Sequence, residues 1–420
     1  AKKALHFFSG ALAEDCPRAL AYGALMDGDR ELDRVIVASF RAPHSYTGED
    51  TVEISCHGNP FLLQQALCRL IACGARQAER GEFTKQAFLN GKLDLTEAEG
   101  VADLIAADSQ RAADAALAQM KGQLSARLEE INTALLELIS PLLAYVDYPD
   151  DEIGEIPPEE LSLRLEDCLS RIRKLLASYS DGRKIRDGIA TVIAGRPNAG
   201  KSSVMNRLIG YERSIVTDIP GTTRDTVEET ITLSGLKLCL TDTAGLHQTD
   251  DHVEQLGVDR TRAALARAEL ILWVCDGAAA TTPEEAAEFA ALPSGAKKIV
   301  LLNKSDLGIF RQTKEFPGAN AIVTVSAITG DGFDQLASLP ARLLLDKPTE
   351  NGELLCDLRH YQCLCRAEEA LTRAVKNQRM TPDVLLADGE DALAAIGELT
   401  GKTVSEQIVT DIFSRFCVGK

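Results

Sequence analysis

The chain contains the stretch Gly195-Arg196-Pro197-Asn198-Ala199-Gly200-Lys201-Ser202, which follows an apolar run over residues 189–194 and precedes a helical pattern over residues 204–209. Strand, GxxxxGKS loop and helix in this order are typical of a P-loop. Its glycines let backbone N–H groups turn toward phosphate, and the helix N-terminus adds positive potential. We therefore predict a nucleotide site in which Lys201 contacts the β- and γ-phosphates and Ser202 ligates Mg²⁺.

Strand and helix patterns alternate from residue 188 to about residue 346. A pair of strand-like segments at 227–233 and 236–241, joined around Ser234-Gly235, predicts one antiparallel hairpin. The alternation as a whole predicts a mostly parallel, doubly wound α/β sheet. Besides 227–233, the predicted strands lie at 189–194, 237–242 (which overlaps the second hairpin segment), 270–275, 298–303 and 321–325.

Further motifs after the P-loop specify the nucleotide. Asp242-Thr243-Ala244-Gly245 ends one predicted strand, so Asp242 is expected at the Mg²⁺ shell and the Gly245 N–H at the γ-phosphate. Asn303-Lys304-Ser305-Asp306 ends another, and a carboxylate at Asp306 accepts from guanine N1–H and N2–H₂, donors that adenine lacks. Ser326-Ala327 is expected at the guanine oxygen, and Thr223 is expected as a second Mg²⁺ ligand. Together these motifs predict a GTPase.

The position that orients the attacking water departs from many small GTPases. Leu246 stands where a Gln is common, and Leu has no group that holds a water. His247 is the weaker alternative, because a histidine in that position more often faces solvent. Transition-state charge still has to be neutralised by an arginine or another cation.

The rest of the chain predicts two further units around the sheet. Residues 1–110 mix strand-like segments (35–40 and 51–56) with a helix over 62–73. Residues 111–187 predict one long helix from about 112 to 145, an acidic connector and a second helix, and residues 347–420 return to helical patterns. The expected fold is therefore a GTPase domain (188–346) inserted in a helical domain (111–187 and 347–420), preceded by an α+β domain (1–110).

Composition limits the class of protein. Among 420 residues, 45 are Lys or Arg and 63 are Asp or Glu, a net charge of −18 that argues against non-specific coating of nucleic acid. No apolar run is long enough to span a membrane, and no secretory signal is recognised. Eleven scattered cysteines predict reduced thiols in the cytoplasm. The cluster Cys356, His360, Cys363 and Cys365 lacks the second ligand pair of a zinc site, so a plain helix surface is favoured.

These residues resemble one family closely, the MnmE (also TrmE) tRNA-modifying GTPases. The resemblance covers nearly the whole chain and includes the segment from Ile215 to Asp225 next to the P-loop. The most discriminating segments lie outside the sheet region, because GTPase motifs are widely shared. They are Ser45-Tyr46-Thr47-Gly48-Glu49-Asp50, Phe88-Leu89-Asn90-Gly91-Lys92-Leu93-Asp94-Leu95 and Phe416-Cys417-Val418-Gly419-Lys420.

The resemblance implies how the GTPase is activated. Asn198 would help to bind K⁺ beside the phosphates, with the loop residues Thr217, Ile219 and Thr222, and K⁺ would supply the charge of an arginine finger. The G domains of a homodimer would meet across this site, and Glu254 would orient the water through a second water. Lys201 and Thr223 complete the expected catalytic set. The expected GTP contacts are Asn198, Ala199, Gly200, Lys201, Ser202, Ser203, Thr217, Thr222, Thr223, Asp242, Thr243, Ala244, Gly245, Asn303, Lys304, Asp306, Ser326 and Ala327.

The resemblance also implies the wider reaction. With an FAD-containing partner, MnmG, in a heterotetramer, such proteins add an aminomethyl-type group to C5 of wobble uridine 34 of certain tRNAs. The one-carbon unit would come from 5-formyl- or 5,10-methylene-tetrahydrofolate, bound by Glu53, Lys92 and Lys420 in the α+β domain. Cys417 is a candidate nucleophile near that chemistry. The family begins with a strand and an arginine-bearing turn that have no counterpart here, and we expect these to lie outside this sequence.

A second class of function is a ribosome-assembly GTPase that acts as an RNA-binding switch. That alternative predicts an appended RNA-binding module with a basic face. The acidic composition and the terminal Cys417-Val418-Gly419-Lys420 segment argue against it.

Overall fold

A computed structural model describes most of the chain. The described residues are 7–10, 16–147, 157–211, 228–242, 262–309, 315–345, 354–377 and 381–419. Their core divides into clusters that correspond to a small N-terminal sheet, a helical bundle and a larger sheet.

Residues 18–55 form an antiparallel three-stranded sheet in the order β1-β2-β3. The predicted segments 35–40 and 51–56 are confirmed as strands, and the predicted helix 62–73 is confirmed as α1, which Asn59 caps and Pro60 begins. Strand β1 was not predicted, since its alanines and glycine give no β-branched pattern. The bounds are β1 Arg18–Asp27, β2 Arg30–Phe40, β3 Thr51–Ser55, α1 Pro60–Ala72 and α2 Glu82–Leu89.

Four helices follow, and one prediction about them is wrong. The apolar stripe predicted as one helix over residues 112–145 belongs to two helices, because the chain turns at Lys121-Gly122. Gly122 has φ +78°, a left-handed conformation that ends a helix and favours glycine. The second predicted helix is confirmed. The bounds are α3 Leu95–Ala106, α4 Gln110–Met120, α5 Gln123–Asp147 and α6 Pro158–Asp187.

The predicted α/β sheet is confirmed as six strands in the order β5-β6-β4-β7-β8-β9. Only β5 runs antiparallel, and it pairs with β6 around Ser234-Gly235 as the hairpin prediction requires. The bounds are β4 Ile189–Ala194, α7 Lys201–Tyr211, β5 Glu228–Leu233, β6 Leu236–Asp242, β7 Leu270–Asp276, α8 Pro283–Ala290, β8 Lys297–Asn303, β9 Ala321–Thr324 and α9 Phe333–Leu344; residues 262–267 are also helical.

Two of the last three helices return to the bundle. Side chains of α10 and α11 share one buried core with α5 and α6, which stand before the sheet in the chain, so the sheet is inserted in a helical unit. Helix α12 packs Phe413 against Leu95 of α3. The bounds are α10 Leu358–Asn377, α11 Pro382–Thr400 and α12 Glu406–Ser414. Among the described residues, no helix is both long and apolar enough to cross a membrane.

Candidate nucleotide site

The P-loop glycines stand where a side chain would collide with the neighbouring strands. Gly195 has φ +142°, and a Cβ there would lie 2.1 Å from the Val274 carbonyl oxygen of β7. Gly200 has φ +92°, and its Cβ would lie 2.3 Å from Nδ2 of Asn303. Asn198, between them, has φ +63° and is exposed. The loop therefore needs glycine at both ends to lie this close to β7 and β8.

Lys201 is the first residue of α7, and its ammonium group lies over the P-loop itself. Its Nζ donates to the carbonyl oxygens of Gly195 and Arg196, both at 2.9 Å. Ser202 and Ser203 are exposed in the first turn of α7, where the N–H groups of a helix have no acceptor within it. Donors of this kind, together with a lysine, fit a ligand that carries phosphate.

The buried side chain of Asn303 links the P-loop to the segment at Ala327. Its Nδ2 donates to the Ala199 carbonyl at 3.0 Å, and its Oδ1 accepts from the Ala327 N–H at 3.1 Å. The side chain is almost fully buried. Asn303 was predicted as a GTP contact; the structure gives it two loop contacts, which hold the P-loop and the segment at Ala327 in register.

Asp306 and Ser326 lie together, as base recognition requires. The Ser326 hydroxyl is fully buried, donates to Asp306 Oδ1 at 2.7 Å and accepts from the Thr329 N–H at 3.1 Å. This contact fixes one carboxylate oxygen of an otherwise exposed Asp306. A carboxylate oriented in this way can accept the paired N–H donors on one edge of guanine.

Lys304 is positioned by a residue that sequence reasoning missed. Its backbone has φ +66°, and its Nζ lies 2.6 Å from Asp276 Oδ2. Asp276 ends β7 directly opposite Asn303, which ends the parallel strand β8. Polar residues at the carboxyl ends of adjacent parallel strands meet at one edge of a sheet. The position of Asp276 at the end of a predicted strand therefore indicates that it lies near Asn303.

Several predicted site residues lie outside the described residues. Asp242 ends β6, but its side chain is not among those described. The other predicted residues without a described position are Thr217, Ile219, Thr222, Thr223, Thr243, Ala244, Gly245, Leu246, His247, Glu254 and Lys420.

The predicted folate residues are spread over the N-terminal unit. Glu53 is exposed on β3, while Lys92 follows α2 and donates from Nζ to the Pro43 carbonyl at 2.9 Å. No hydrogen bond or ion pair among the described residues joins these two side chains. Cys417 is exposed, and its carbonyl accepts from the Gly81 N–H at 3.3 Å. Val418 forms a β-bridge with Arg80, so the end of the chain lies against the N-terminal unit.

His360, considered above with its neighbouring cysteines, belongs to a buried ion network. Its Nε2 lies 2.6 Å from Glu99 Oε2, and Arg359 binds both Glu99 oxygens. Burial raises the pKa of Cys356 to about 12, so this thiol is protonated at neutral pH. The plain helix surface predicted for this cluster is wrong for Cys356, His360 and Cys363, which are all buried.

Comparison with known proteins decides the family. The family model for the MnmE helical domain matches residues 95–417, and the model for the GTP-binding protein TrmE N-terminus matches residues 2–92. The tRNA modification GTPase MnmE of Caldicellulosiruptor saccharolyticus is 42% identical over 408 residues, which cover 95% of this chain and 89% of that protein. The chain belongs to the MnmE (TrmE) family.

Other MnmE proteins are similarly close. That of Aquifex aeolicus is 40% identical over 408 residues, which cover 96% of this chain and 91% of that protein. Among solved structures, a variant of Aquifex aeolicus Era bound to GDP·AlF₄⁻ is 26% identical, with a TM-score of 0.29, and the match covers 43% of this chain and 65% of Era. The prediction of a GTP-hydrolysing enzyme of tRNA modification is confirmed at the level of the MnmE family.

Proposed function

We propose that this protein is a K⁺-stimulated GTPase that works with an FAD-containing partner, MnmG. Together they install an aminomethyl-type group at C5 of wobble uridine 34 of certain tRNAs, from a tetrahydrofolate-derived one-carbon unit, in the cytoplasm. The observation that carries the proposal is the match to MnmE over nearly the whole chain, at 42% identity. The local support is the Ser326–Asp306 contact beside the P-loop, since it suits guanine.

The donor set at the P-loop fits the proposed ions. Mg²⁺ takes oxygen ligands, and the Ser202 hydroxyl is exposed in the first turn of α7. Thr223 is proposed as the second ligand, and Mg²⁺ would neutralise phosphate charge when bound. For K⁺, Asn198 offers an exposed amide oxygen from a left-handed position of the loop. The proposed K⁺ ligands beyond Asn198 are Thr217, Ile219 and Thr222.

The K⁺ assignment has its own test. GTP turnover should be about tenfold or more faster in K⁺ than in Na⁺ at equal ionic strength, because the ion supplies transition-state charge. Asn198→Ala should remove most of that difference, while Lys402→Gln, which lies outside the large sheet, should leave it intact. Equal rates in the two salts would overturn the assignment.

Tetrahydrofolate is proposed to bind the N-terminal unit through Glu53, Lys92 and Lys420. A carboxylate suits the N–H donors of a pterin, and lysines suit its glutamate tail. The bridge between Val418 and Arg80 supports the assignment of Cys417 and Lys420 to this neighbourhood, because it ties the end of the chain to residues 80–81.

A homodimer, and a heterotetramer with MnmG, are proposed for the assembly. The support is an apolar sheet face on β1 and β2, where Leu20 is 73%, Tyr22 66% and Ile36 46% exposed. Tyr22 stands opposite Ile36 in the ladder, so the three side chains are contiguous. Apolar patches of this kind mark interfaces between proteins.

The decisive experiment is mass analysis of wobble uridines in tRNA from cells that lack this protein. Loss of the modified uridine, restored by the wild-type gene but not by Lys201→Ala, would support the proposal. Normal uridines together with accumulated precursor ribosomal RNA would instead favour a ribosome-assembly GTPase.

A further inference from the structure

The side chain of Arg196 joins the P-loop to the beginning of α8. Its Nη1 donates to the Thr282 hydroxyl oxygen at 2.6 Å and lies 3.7 Å from Glu284 Oε2. Thr282 is the N-cap of α8, and the same hydroxyl oxygen accepts from the Glu285 N–H at 3.3 Å. The guanidinium group of Arg196 is therefore held where α8 begins.

The charges at this end of α8 suit an arginine. A cation beside a helix N-terminus is normally unfavourable, because the N–H groups there already carry positive potential. Helix α8 has Glu284 and Glu285 in its first turn, which offset the charge of Arg196. The ion pair with Glu284 is largely exposed and contributes little, so the short hydrogen bond to Thr282 is the contact that holds the guanidinium in place.

The carbonyl oxygen of Arg196 serves both the turn of the P-loop and Lys201. It accepts from the Ala199 N–H at 3.3 Å and from Lys201 Nζ at 2.9 Å. The next residue, Pro197, has no N–H group, so it adds no hydrogen bond that would hold this peptide group. The position of the Lys201 ammonium group therefore depends on how firmly Arg196 is held.

The rest of the P-loop is held from other directions. Gly195 lies against β7, and Asn303 Nδ2 donates to the Ala199 carbonyl at 3.0 Å. The hydrogen bond from Arg196 to Thr282 holds the part of the loop between these two points. We call the contacts of Arg196 with Thr282 and Glu284 the P-loop anchor.

We propose that Arg196 is a positioning residue for Lys201, and that Thr282 holds Arg196 in place. The P-loop anchor fixes the main chain at Arg196, and the carbonyl oxygen of Arg196 fixes the ammonium group of Lys201. Arg196 acts through Lys201 rather than on phosphate, because its guanidinium group is bound at α8. This proposal rests on the assignment of the P-loop as the GTP site.

Two variants break the P-loop anchor from opposite sides. Arg196→Gln and Thr282→Val should each lower the rate constant of single-turnover GTP hydrolysis about tenfold, because a misplaced ammonium group stabilises the transition state poorly. GDP affinity should fall by less than about threefold, since the N–H groups at the beginning of α7 remain. Thr282→Val also removes the cap of α8, whereas Arg196→Gln keeps it, so equal effects would identify the P-loop anchor as the cause.

Two further variants are the controls. Thr282→Ser keeps the hydroxyl group and should restore most of the rate that Thr282→Val loses. Ser405→Ala removes a hydroxyl cap of the same kind from α12, outside the large sheet, and should leave hydrolysis unchanged. A loss of rate in Ser405→Ala equal to that in Thr282→Val would show a general effect of helix caps and would contradict the proposal.

Coupling to Lys201 distinguishes positioning from a purely structural role. In a protein that already carries Lys201→Ala, Arg196→Gln should cause no further loss of rate, because the group that Arg196 positions is absent. If Arg196 supported the fold in general or acted on phosphate directly, the two losses would add. Additive losses would therefore overturn the proposal.

The remaining outcomes separate the P-loop anchor from the nucleotide site. Unchanged hydrolysis in both Arg196→Gln and Thr282→Val would show that Lys201 does not need the anchor. A loss in Arg196→Gln far larger than that in Thr282→Val would show that the guanidinium group itself acts on the phosphates. Either result would refute the positioning role, whereas normal hydrolysis in Lys201→Ala would refute the P-loop assignment and the proposal together.

Discussion

The two sheets of the molecule differ in how completely the chain covers them. Strand β7 is buried almost throughout, because the parallel sheet has helices on both faces, and its sequence is a continuous apolar run. Strands β1 and β2 bury one face on α1 and leave Leu20 and Tyr22 exposed on the other. The large sheet is thus covered on both faces, and its predicted site lies at its strand ends, whereas the small sheet leaves apolar side chains exposed on one face.

Lys201→Ala has the largest expected effect and tests whether the P-loop of the large sheet carries out GTP hydrolysis. Removing the ammonium group should lower GTP turnover by about 10³-fold, since it deprives the developing phosphate charge of a fixed cation. Single-turnover hydrolysis measures the effect. The oligomeric state should not change, because the apolar face proposed for dimerisation belongs to the small sheet. Normal hydrolysis would mean that the P-loop is misassigned.

Asp306→Asn tests base recognition at the other side of the same sheet. GTP affinity should fall about 10²-fold, because the carboxylate that accepts two guanine donors is lost. Xanthosine triphosphate should gain affinity, since its C2 carbonyl accepts from the new amide N–H. Competition binding with ATP, GTP and xanthosine triphosphate is the measurement. Unchanged discrimination against ATP would contradict the prediction that the Asp306 carboxylate recognises guanine.

The same contrast explains what the sequence could and could not predict. Motifs placed the P-loop, Asp306 and Ser326 correctly at one edge of the large sheet, because parallel strands bring their carboxyl ends together. Local pattern does not show which side chains contact one another across the sheet, so it does not predict the hydrogen bonds of Asn303 with Ala199 and Ala327; the GTP contact of Asn303 stays a prediction. Asp276 was missed for the same reason.

In the first third of the chain, the helix predicted from hydrophobic periodicity is wrong, because the backbone conformation of one residue ends a helix inside it. An unbroken apolar stripe suggested one helix, yet the left-handed turn at Gly122 divides it into α4 and α5. Strand β1 is not predicted because it is rich in Ala and Leu, contains no β-branched residue and is defined by its pairing with β2. The folate residues came from resemblance alone, since Glu53 and Lys92 have no pattern that implies a pterin.

Glu99→Gln tests how strongly α3 is bound to α10 of the helical bundle. Glu99 binds Arg359 and His360 in the buried network, so the neutral amide should lower the free energy of unfolding by about 2 kcal/mol. Burial acts to raise the pKa of Glu99, but His360 and Arg359 outweigh it and hold the pKa below its usual 4.5. The contribution of Glu99 is therefore present at neutral pH and is lost as the pH falls below 4.5.

Urea unfolding at pH 7 and at pH 4 checks this expectation. The wild type and Glu99→Gln should differ more at pH 7 than at pH 4, because below pH 4.5 the unfolded chain takes up a proton on Glu99 that the folded state resists, and this uptake favours unfolding. Glu130→Gln, in the exposed Arg127–Glu130 pair, is the control and should change little. An equal loss of stability at both pH values would contradict the ionic role of Glu99.

Tyr22→Glu addresses the uncovered face of the small sheet. If a second copy covers Leu20, Tyr22 and Ile36, a carboxylate buried there without a partner should weaken dimerisation about tenfold. Sedimentation over a range of protein concentrations measures the dissociation constant. Glu31→Gln, on the same sheet but in an exposed pair with Arg34, is the matched control and should leave association unchanged.

GTP hydrolysis by the Tyr22→Glu monomer then tests whether the large sheet depends on the small one. If the K⁺-stimulated step needs two G domains, turnover at dilute protein should fall together with dimerisation. Equal turnover in monomer and dimer would show that the large sheet hydrolyses GTP without dimerisation.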